Sequence, residues 1–259
     1  MVVMATRYSD ALPQGLRYEP TPKRVRAEVA GEALFDTRRA ILVWEPGHVV
    51  PLYAIPSGDV RTDLLQAGRG EGADRDVPIA EAWALDVDGR RHDAAAWRYD
   101  DEDLADYVAI DWDAMDRWLE EEEEVIGHPR DPFKRIDVRR SSRHVVVRID
   151  REVVAETRRP SLLFETGLPI RFYMPFEDAR DELLIPSATQ TVCAYKGRAS
   201  HWSVRVGDRL HEDVAWCYPE PLPDHQPIEG LIAFYNERAD IEVDGEEVGR
   251  PQTQWSLAA

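Results

Sequence analysis

His211-Glu212-Asp213-Val214-Ala215-Trp216-Cys217-Tyr218 is a second version of an earlier stretch, His92-Asp93-Ala94-Ala95-Ala96-Trp97-Arg98-Tyr99. His, Ala, Trp and Tyr recur at matching places, at a constant offset of 119 positions. The same offset sets Trp83 against Trp202, Leu64-Leu65 against Leu183-Leu184, and Asp59 against Asp178. It also sets Tyr53-Ala54-Ile55-Pro56 against Phe172-Tyr173-Met174-Pro175. After a one-residue slip, Asp36-Thr37-Arg38-Arg39 meets Glu156-Thr157-Arg158-Arg159, and Glu45-Pro46-Gly47 meets Glu165-Thr166-Gly167. At the far ends, Arg24–Val29 faces His144–Ile149, and Val108-Ala109-Ile110 faces Ile232-Ala233-Phe234 across a gap. Self-similarity at a fixed period marks a duplication. Each copy has roughly 110 residues, a common domain size.

Boundaries follow from the repeat. Residues 1–23 hold Pro13, Pro20 and Pro22 with little periodicity, and read as an N-terminal arm. The first, divergent repeat covers 24–126. Residues 127–142, with His128-Pro129-Arg130-Asp131-Pro132, read as a linker because proline opposes regular structure on both sides. The second repeat covers 143–259.

The fold class expected is mainly β, two tandem small domains with a few short helices. Short β-branched and aromatic runs recur at 145–147, 162–164, 170–173, 191–194, 202–206 and 241–243. Trp202, Val204 and Val206 alternate with polar residues, the period of a half-buried strand. Asp244-Gly245 has the chemistry of a hairpin turn. Short helical turns are expected at 59–65 and 178–184. A helix is expected over 114–124, with Met115, Trp118 and Leu119 on one face.

Composition narrows the function classes. The 259 residues carry a formal charge of −18, with 43% hydrophobic residues and 9% aromatics. That apolar share supports a packed core. Apolar runs are too short to span a membrane as helices. Thirteen acids and one base lie between Asp100 and Glu124, so most of the charge is local. An acidic chain repels phosphate backbones, so no nucleic-acid partner is expected. Met1–Arg7 lacks a basic start followed by an apolar stretch, so no secretory leader is read there and a cytoplasmic location is expected. Among the 32 basic residues only Lys23, Lys134 and Lys196 are lysines.

The second copy resembles the family of domains of unknown function numbered 427. The residues that carry the resemblance are Arg158-Arg159, Glu165, Tyr173-Met174-Pro175 with Asp178, Cys193-Ala194-Tyr195-Lys196-Gly197, Ala215-Trp216-Cys217-Tyr218-Pro219 and Ile232-Ala233-Phe234-Tyr235. The first copy resembles the family more weakly. The resemblance implies a compact, mostly β domain of the β-tent kind, with two small sheets packed at an angle and no settled chemistry. A nucleotidyltransferase-like label sometimes given to the family finds no P-loop here. Asp86-x-Asp88 and Asp111-x-Asp113 are short matches in an acidic chain. β-tent relatives often hold zinc through two Cys-x-x-Cys pairs. Cys193 and Cys217 cannot supply that set, so no metal and no cofactor are expected.

The candidate site centres on Lys196. A partly buried lysine can bind an anion or a carbonyl, or act as nucleophile or base, where arginine stays charged. The alternative reading is a structural ion pair with Glu165. Gly197 permits a tight turn or close approach of a ligand. The first copy has Val77-Pro78 in their place. Cys193 lies three residues earlier, where an ammonium would raise its thiolate fraction. On a straight strand, however, Lys196 points away from Cys193 and Tyr195 unless the chain bends at Lys196-Gly197. Trp216 and Tyr218, with His211 upstream, can form an aromatic wall. Cys217, facing away from them, reads as core packing.

Catalytic candidates are therefore Lys196, Cys193 and Glu165. Ligand-binding candidates are Tyr195, Gly197, His211, Trp216, Tyr218, Arg159 and Asp178. The run Glu120–Glu124 reads as a solvated face. The reading favoured is a small-molecule pocket of the second repeat near Lys196, able to serve an enzyme on small organic substrates, with the first repeat mainly scaffold. The alternatives are a non-catalytic module binding a ligand or a protein segment, and a structural protein with no catalytic site.

Overall fold

A computed structural model gives the structure of the protein and describes residues 14–67 and 77–256. The described residues fall into two compact units that part at Asp131/Pro132. Residues 1–13 of the expected arm lie outside the description, and so does any leader.

In the first unit the strands are β1 (Arg17–Pro20), β2 (Val25–Val29), β3 (Glu32–Thr37), β4 (Ile41–Trp44), β5 (Leu52–Pro56) and β6 (Leu65–Ala67). They continue as β7 (Ile79–Val87), β8 (Arg90–Tyr99), β9 (Tyr107–Ile110), β10 (Arg117–Glu120) and β11 (Glu123–Glu124). The second unit has β12 (Ile136–Arg140), β13 (Val145–Ile149), β14 (Glu152–Thr157), β15 (Ser161–Glu165), β16 (Arg171–Pro175) and β17 (Leu184–Cys193). Then come β18 (Gly197–Val206), β19 (Arg209–Cys217), β20 (Leu231–Phe234), β21 (Asp240–Val243) and β22 (Glu246–Val248).

The repeat is a repeat of topology. Each unit has a seven-stranded sheet, ordered β1-β4-β5-β9-β8-β7-β6 and β12-β15-β16-β20-β19-β18-β17. Each also has a four-stranded sheet, ordered β11-β10-β2-β3 and β14-β13-β21-β22. Counted within its own unit, every strand holds the same place. Short 3-10 turns follow β5 and β16, at Ser57–Asp59 and Thr62–Leu64 and at Phe176–Asp178 and Asp181–Leu183. No helix among the described residues is long and apolar enough to cross a membrane.

Period-two patterning explains the packing. Val25, Ala27 and Val29 of β2 are buried, whereas Arg26 and Glu28 between them are not. Between the two sheets of the second unit lie Val145, Val147, Ile149, Val154 and Ile241 from one side and Leu162, Phe172, Met174, Val204 and Phe234 from the other. Two of the two-residue hairpins place both central residues at positive φ, at Asp88-Gly89 and Asp244-Gly245. That geometry matches the twist of the strands it joins.

The seven-stranded sheet is covered on its second face too. In the second unit that face carries Leu163, Tyr173, Ala199, Trp216, Tyr218 and Ala233, roofed by Ile228 from the turn Pro223–Ile228. In the first unit the matching cluster contains Ile41, Val43, Ala54, Val77, Trp97, Tyr99, Leu104 and Ala109.

Three expectations need correction. The helix over 114–124 is instead a 3-10 turn, Trp112–Ala114, followed by β10 and β11. β10 is central in its sheet, and Trp118 pairs across to Ala27. The 3.6-like spacing of Met115, Trp118 and Leu119 was outweighed by pairing with β2. Residues 127–142 are not linker throughout, because β12 pairs with β15 from Ile136↔Glu165 to Arg140↔Ser161. The arm contains β1, an edge strand ending at Pro20, a place where proline loses no ladder bond.

Candidate functional site

Cys193 and Gly197 are cross-strand partners, so Ala194-Tyr195-Lys196 is a three-residue loop joining β17 to β18. The chain therefore bends before Gly197, and the straight-strand objection to a Cys193–Lys196 cluster does not hold. Gly197 makes the bend possible with φ +107. A Cβ there would lie 3.3 Å from the Glu220 carbonyl oxygen and 3.4 Å from the Leu222 nitrogen. Gly197→Ala is expected to cost about 1–3 kcal/mol from backbone strain alone. Chemical denaturation of the two proteins measures it.

Lys196 is buried, with 9% of its side chain exposed, and its Nζ donates to Glu165 Oε2 at 2.6 Å. Lys134 Nζ lies 2.9 Å from the other oxygen, Oε1. Glu165, at the end of β15, is thus held between two ammonium groups with 5% of its side chain exposed. Burial alone would raise its pKa, but Lys196 and Lys134 outweigh burial and hold it below the ordinary 4.5. Lys134 also lies over the Tyr195 ring, 5.4 Å from its centroid. Trp216 Nε1 donates to the Tyr173 hydroxyl at 2.9 Å. Burial pushes the Tyr173 and Tyr218 hydroxyls well above the usual tyrosine range. Cys193 packs, partly buried, against this aromatic group.

The loop is tied to the Pro223–Ile228 turn. Leu222 donates its backbone N–H to the Lys196 carbonyl at 3.0 Å, and His225 donates to the Leu222 carbonyl at 2.8 Å. His225 is buried. Burial first, and the Lys196 charge second, lower its pKa below 6.5.

Seven of the ten candidate residues thus gather at one place: Lys196, Glu165, Cys193, Tyr195, Gly197, Trp216 and Tyr218. Three do not. His211 pairs with Val204, which faces the inter-sheet core, whereas Trp216 pairs with His201 on the other face. His211 stands five positions before Trp216, an odd count that sets the two on opposite faces of the strand. Val204 is seven residues from Gly197, roughly 23 Å along an extended strand. There His211 Nε2 meets Asp150 at 2.8 Å.

Arg159 and Asp178 bind each other elsewhere. Thr157 Oγ1 donates to Asp178 at 2.6 Å, and the Arg159 guanidinium reaches Asp178 at 3.0 Å and Glu177 at 2.5 Å. Arg159 first, and Thr157 with it, hold Asp178 below the usual carboxylate range against a rise from burial. An open depression of about 440 Å³ lies here, lined by Glu156, Thr157, Arg158, Arg159 and Asp178. The first unit repeats the arrangement with Thr37, Arg39 and Asp59.

Comparison with known families matches residues 17–121 and 137–245 to the Domain of unknown function (DUF427). The chain belongs to the DUF427 family. It does so twice, and both matched segments open at or beside the edge strands β1 and β12. No curated protein matches it.

Within the two DUF427 repeats the second faces differ in chemistry. Val77 stands where the repeat alignment puts Lys196, Leu52 where it puts Arg171, and Ala54 where it puts Tyr173. Glu45 remains, buried, and accepts a hydrogen bond from Tyr99 at 2.8 Å. Among the described residues no three His, Cys, Asp or Glu side chains gather to hold a metal ion.

Sequence reasoning missed Lys134 and His225. Lys134 was legible as one of three lysines in an arginine-rich chain, but it stood in the supposed linker. His225 lies among Pro219, Pro221, Pro223 and Pro227, a stretch with no strand period to place it.

Proposed function

We propose that the second repeat is a ligand-binding domain, with its site at Lys196, Glu165 and Lys134 and a small anionic or carbonyl compound as its ligand. The observation that supports this reading is the contrast within one chain. The first repeat builds the same sheets with Val77, Leu52 and Ala54 on the corresponding face. The fold therefore requires neither the lysine at position 196 nor the arginine at position 171, although the carboxyl of Glu165 has a buried counterpart in Glu45. A buried ion pair is commonly no more stable than apolar residues of the same volume. Charges that stability does not demand are explained by something they bind.

The 2.6 Å ion pair favours use of Lys196 as a cation, and so binding over Schiff-base chemistry. Tyr195, Trp216 and Tyr218 supply the aromatic surroundings. The blander reading, an ion pair with no ligand, has the geometry in its favour and is separated by experiment. Both cysteines are free, which fits a reducing compartment and a cytoplasmic location.

The test is a thermal-shift screen with small carboxylates and aldehydes on the wild type and Lys196→Met. Methionine keeps the apolar stem and removes the charge. A ligand that binds the native state raises the melting temperature by mass action. A rise lost in Lys196→Met is the expected result. No rise with any compound, together with a markedly less stable variant, assigns the pair to structure alone.

A further inference from the structure

β17 closes one end of the second unit's seven-stranded sheet, and among the described residues no strand pairs with its outer edge. Its ten residues, Leu184–Cys193, hold no charge, in a chain where 32% of residues are charged. The two halves of the strand differ. Pro186 and a register shift between Pro186 and Gln190 spoil the first half as a template for pairing. From Gln190↔Ser200 to Cys193↔Gly197 the register with β18 is unbroken. Ala188 to Val192 are all exposed, Val192 to 44%. An open edge offers a row of N–H and C=O groups to any chain that can pair with it, and proteins blunt such edges with charges, bulges or shortness. The other described edges are blunted in this way. β3, β11, β14 and β22 carry glutamates, β1 and β12 carry arginine and an acid, and β6 has three residues.

We propose that β17 is a self-association edge, at which two copies of the chain pair their β17 strands antiparallel about a two-fold axis. Thr191 then stands opposite itself, and Gln190 opposite Val192. Charge argues for a second copy as the occupant. At −18 the chain repels itself, so two copies meet closely only where the contact carries no charge. Like charges directly opposed work against strand pairing. β14 paired with itself about Val154 would set Glu152 against Glu156, and β22 would set Glu247 against itself. β17 opposes only neutral side chains, with the β-branched Thr191 at the centre, a residue suited to a pleated strand. A two-fold contact uses the same patch on both copies and closes, so assembly stops at two. One strand pair makes a small interface, so the association is weak and rises with concentration. It is independent of any ligand at Lys196.

Sedimentation equilibrium of the full chain is expected to show a monomer–dimer equilibrium. In Gln190→Lys with Val192→Lys, ammonium faces ammonium on both sides of the axis, and the dissociation constant rises by at least about tenfold. In Gln190→Glu with Val192→Lys the facing charges are opposite, and the dimer forms at least as readily as in the wild type. Both side chains are exposed, so the fold of each copy does not depend on them. A chain that stays monomeric up to millimolar concentration overturns the proposal. So does a dimer on which the two variants act alike, because its contact then lies elsewhere. Should either variant fail to fold, amide hydrogen exchange of the wild type decides. Protection at Gln190 and Val192 that grows with protein concentration is expected. Protection there that ignores concentration would overturn the proposal.

Discussion

Replacing Glu237 with alanine is expected to destabilise the second repeat by about 3–5 kcal/mol, the cost of stranding a buried charge. Glu237 has 0% of its side chain exposed and Arg171 has 7%. Two parallel bonds of 2.7 Å join them. Burial would raise the Glu237 pKa, but Arg171, helped by Thr253, holds it below the usual range. The guanidinium is also packed among Trp216, Tyr235 and Trp255, at 5.5, 5.6 and 5.2 Å from the ring centroids. Thr253 Oγ1 donates to Glu237 at 2.7 Å, so the loss also unfastens the C-terminal segment that carries Trp255. A fall of roughly 10 °C or more in the melting transition is expected for a unit of this size. The double variant Arg171→Leu with Glu237→Met is expected to recover most of it. The first repeat already carries Leu52 at the matching position. Calorimetry of the three proteins measures both effects.

Glu165→Gln is the second large effect, about 3 kcal/mol at neutral pH, since it removes the countercharge of two lysines. The figure sits at the low end because Lys134, with 18% of its side chain exposed, can turn toward water. The pH dependence has a definite sign. The folded carboxyl sits below its unfolded value of 4.5, so its stabilisation is complete above that pH. It is lost as the pH falls through the lower folded value. The wild type is therefore expected to lose melting temperature more steeply below pH 4.5 than Glu165→Gln does. Parallel slopes for the two proteins would show that Glu165 titrates alike in the folded and unfolded chains.

Much of this is legible in the amino-acid sequence. The 119-residue offset between Trp97 and Trp216 marks two copies, and the two sheet orders match strand for strand. What escaped had local causes. Trp118 and Leu119 mimic a helix face, and only pairing with β2 makes them strand. Ile136 and Val138 alternate too briefly among Asp137, Arg139 and Arg140 to announce β12. His211 was grouped with the aromatic wall by nearness in sequence alone, although it stands an odd five positions before Trp216 and alternation already turns it to the other face. The Lys196 cluster was half visible. Glu165 follows from the repeat and Lys196 from its rarity, but Lys134 and His225 reach the cluster from segments 62 and 29 residues away from Lys196, a convergence that only the folded chain creates.

The central claim is that the second repeat holds a ligand at its lysines and that the first repeat does not. The chain's own composition makes a direct test possible, because Lys23, Lys134 and Lys196 are its three lysines. Lys23 lies in the first family match and pairs with Glu120 at 2.5 Å, so it serves as an internal control. Protein labelled with ¹⁵N at lysine Nζ gives one signal for each. Titration with glycolate, a small carboxylate, is expected to move the Lys134 and Lys196 signals along one saturating curve while Lys23 stays in place. No movement of either signal at saturating acid, or equal movement of all three, would contradict the account.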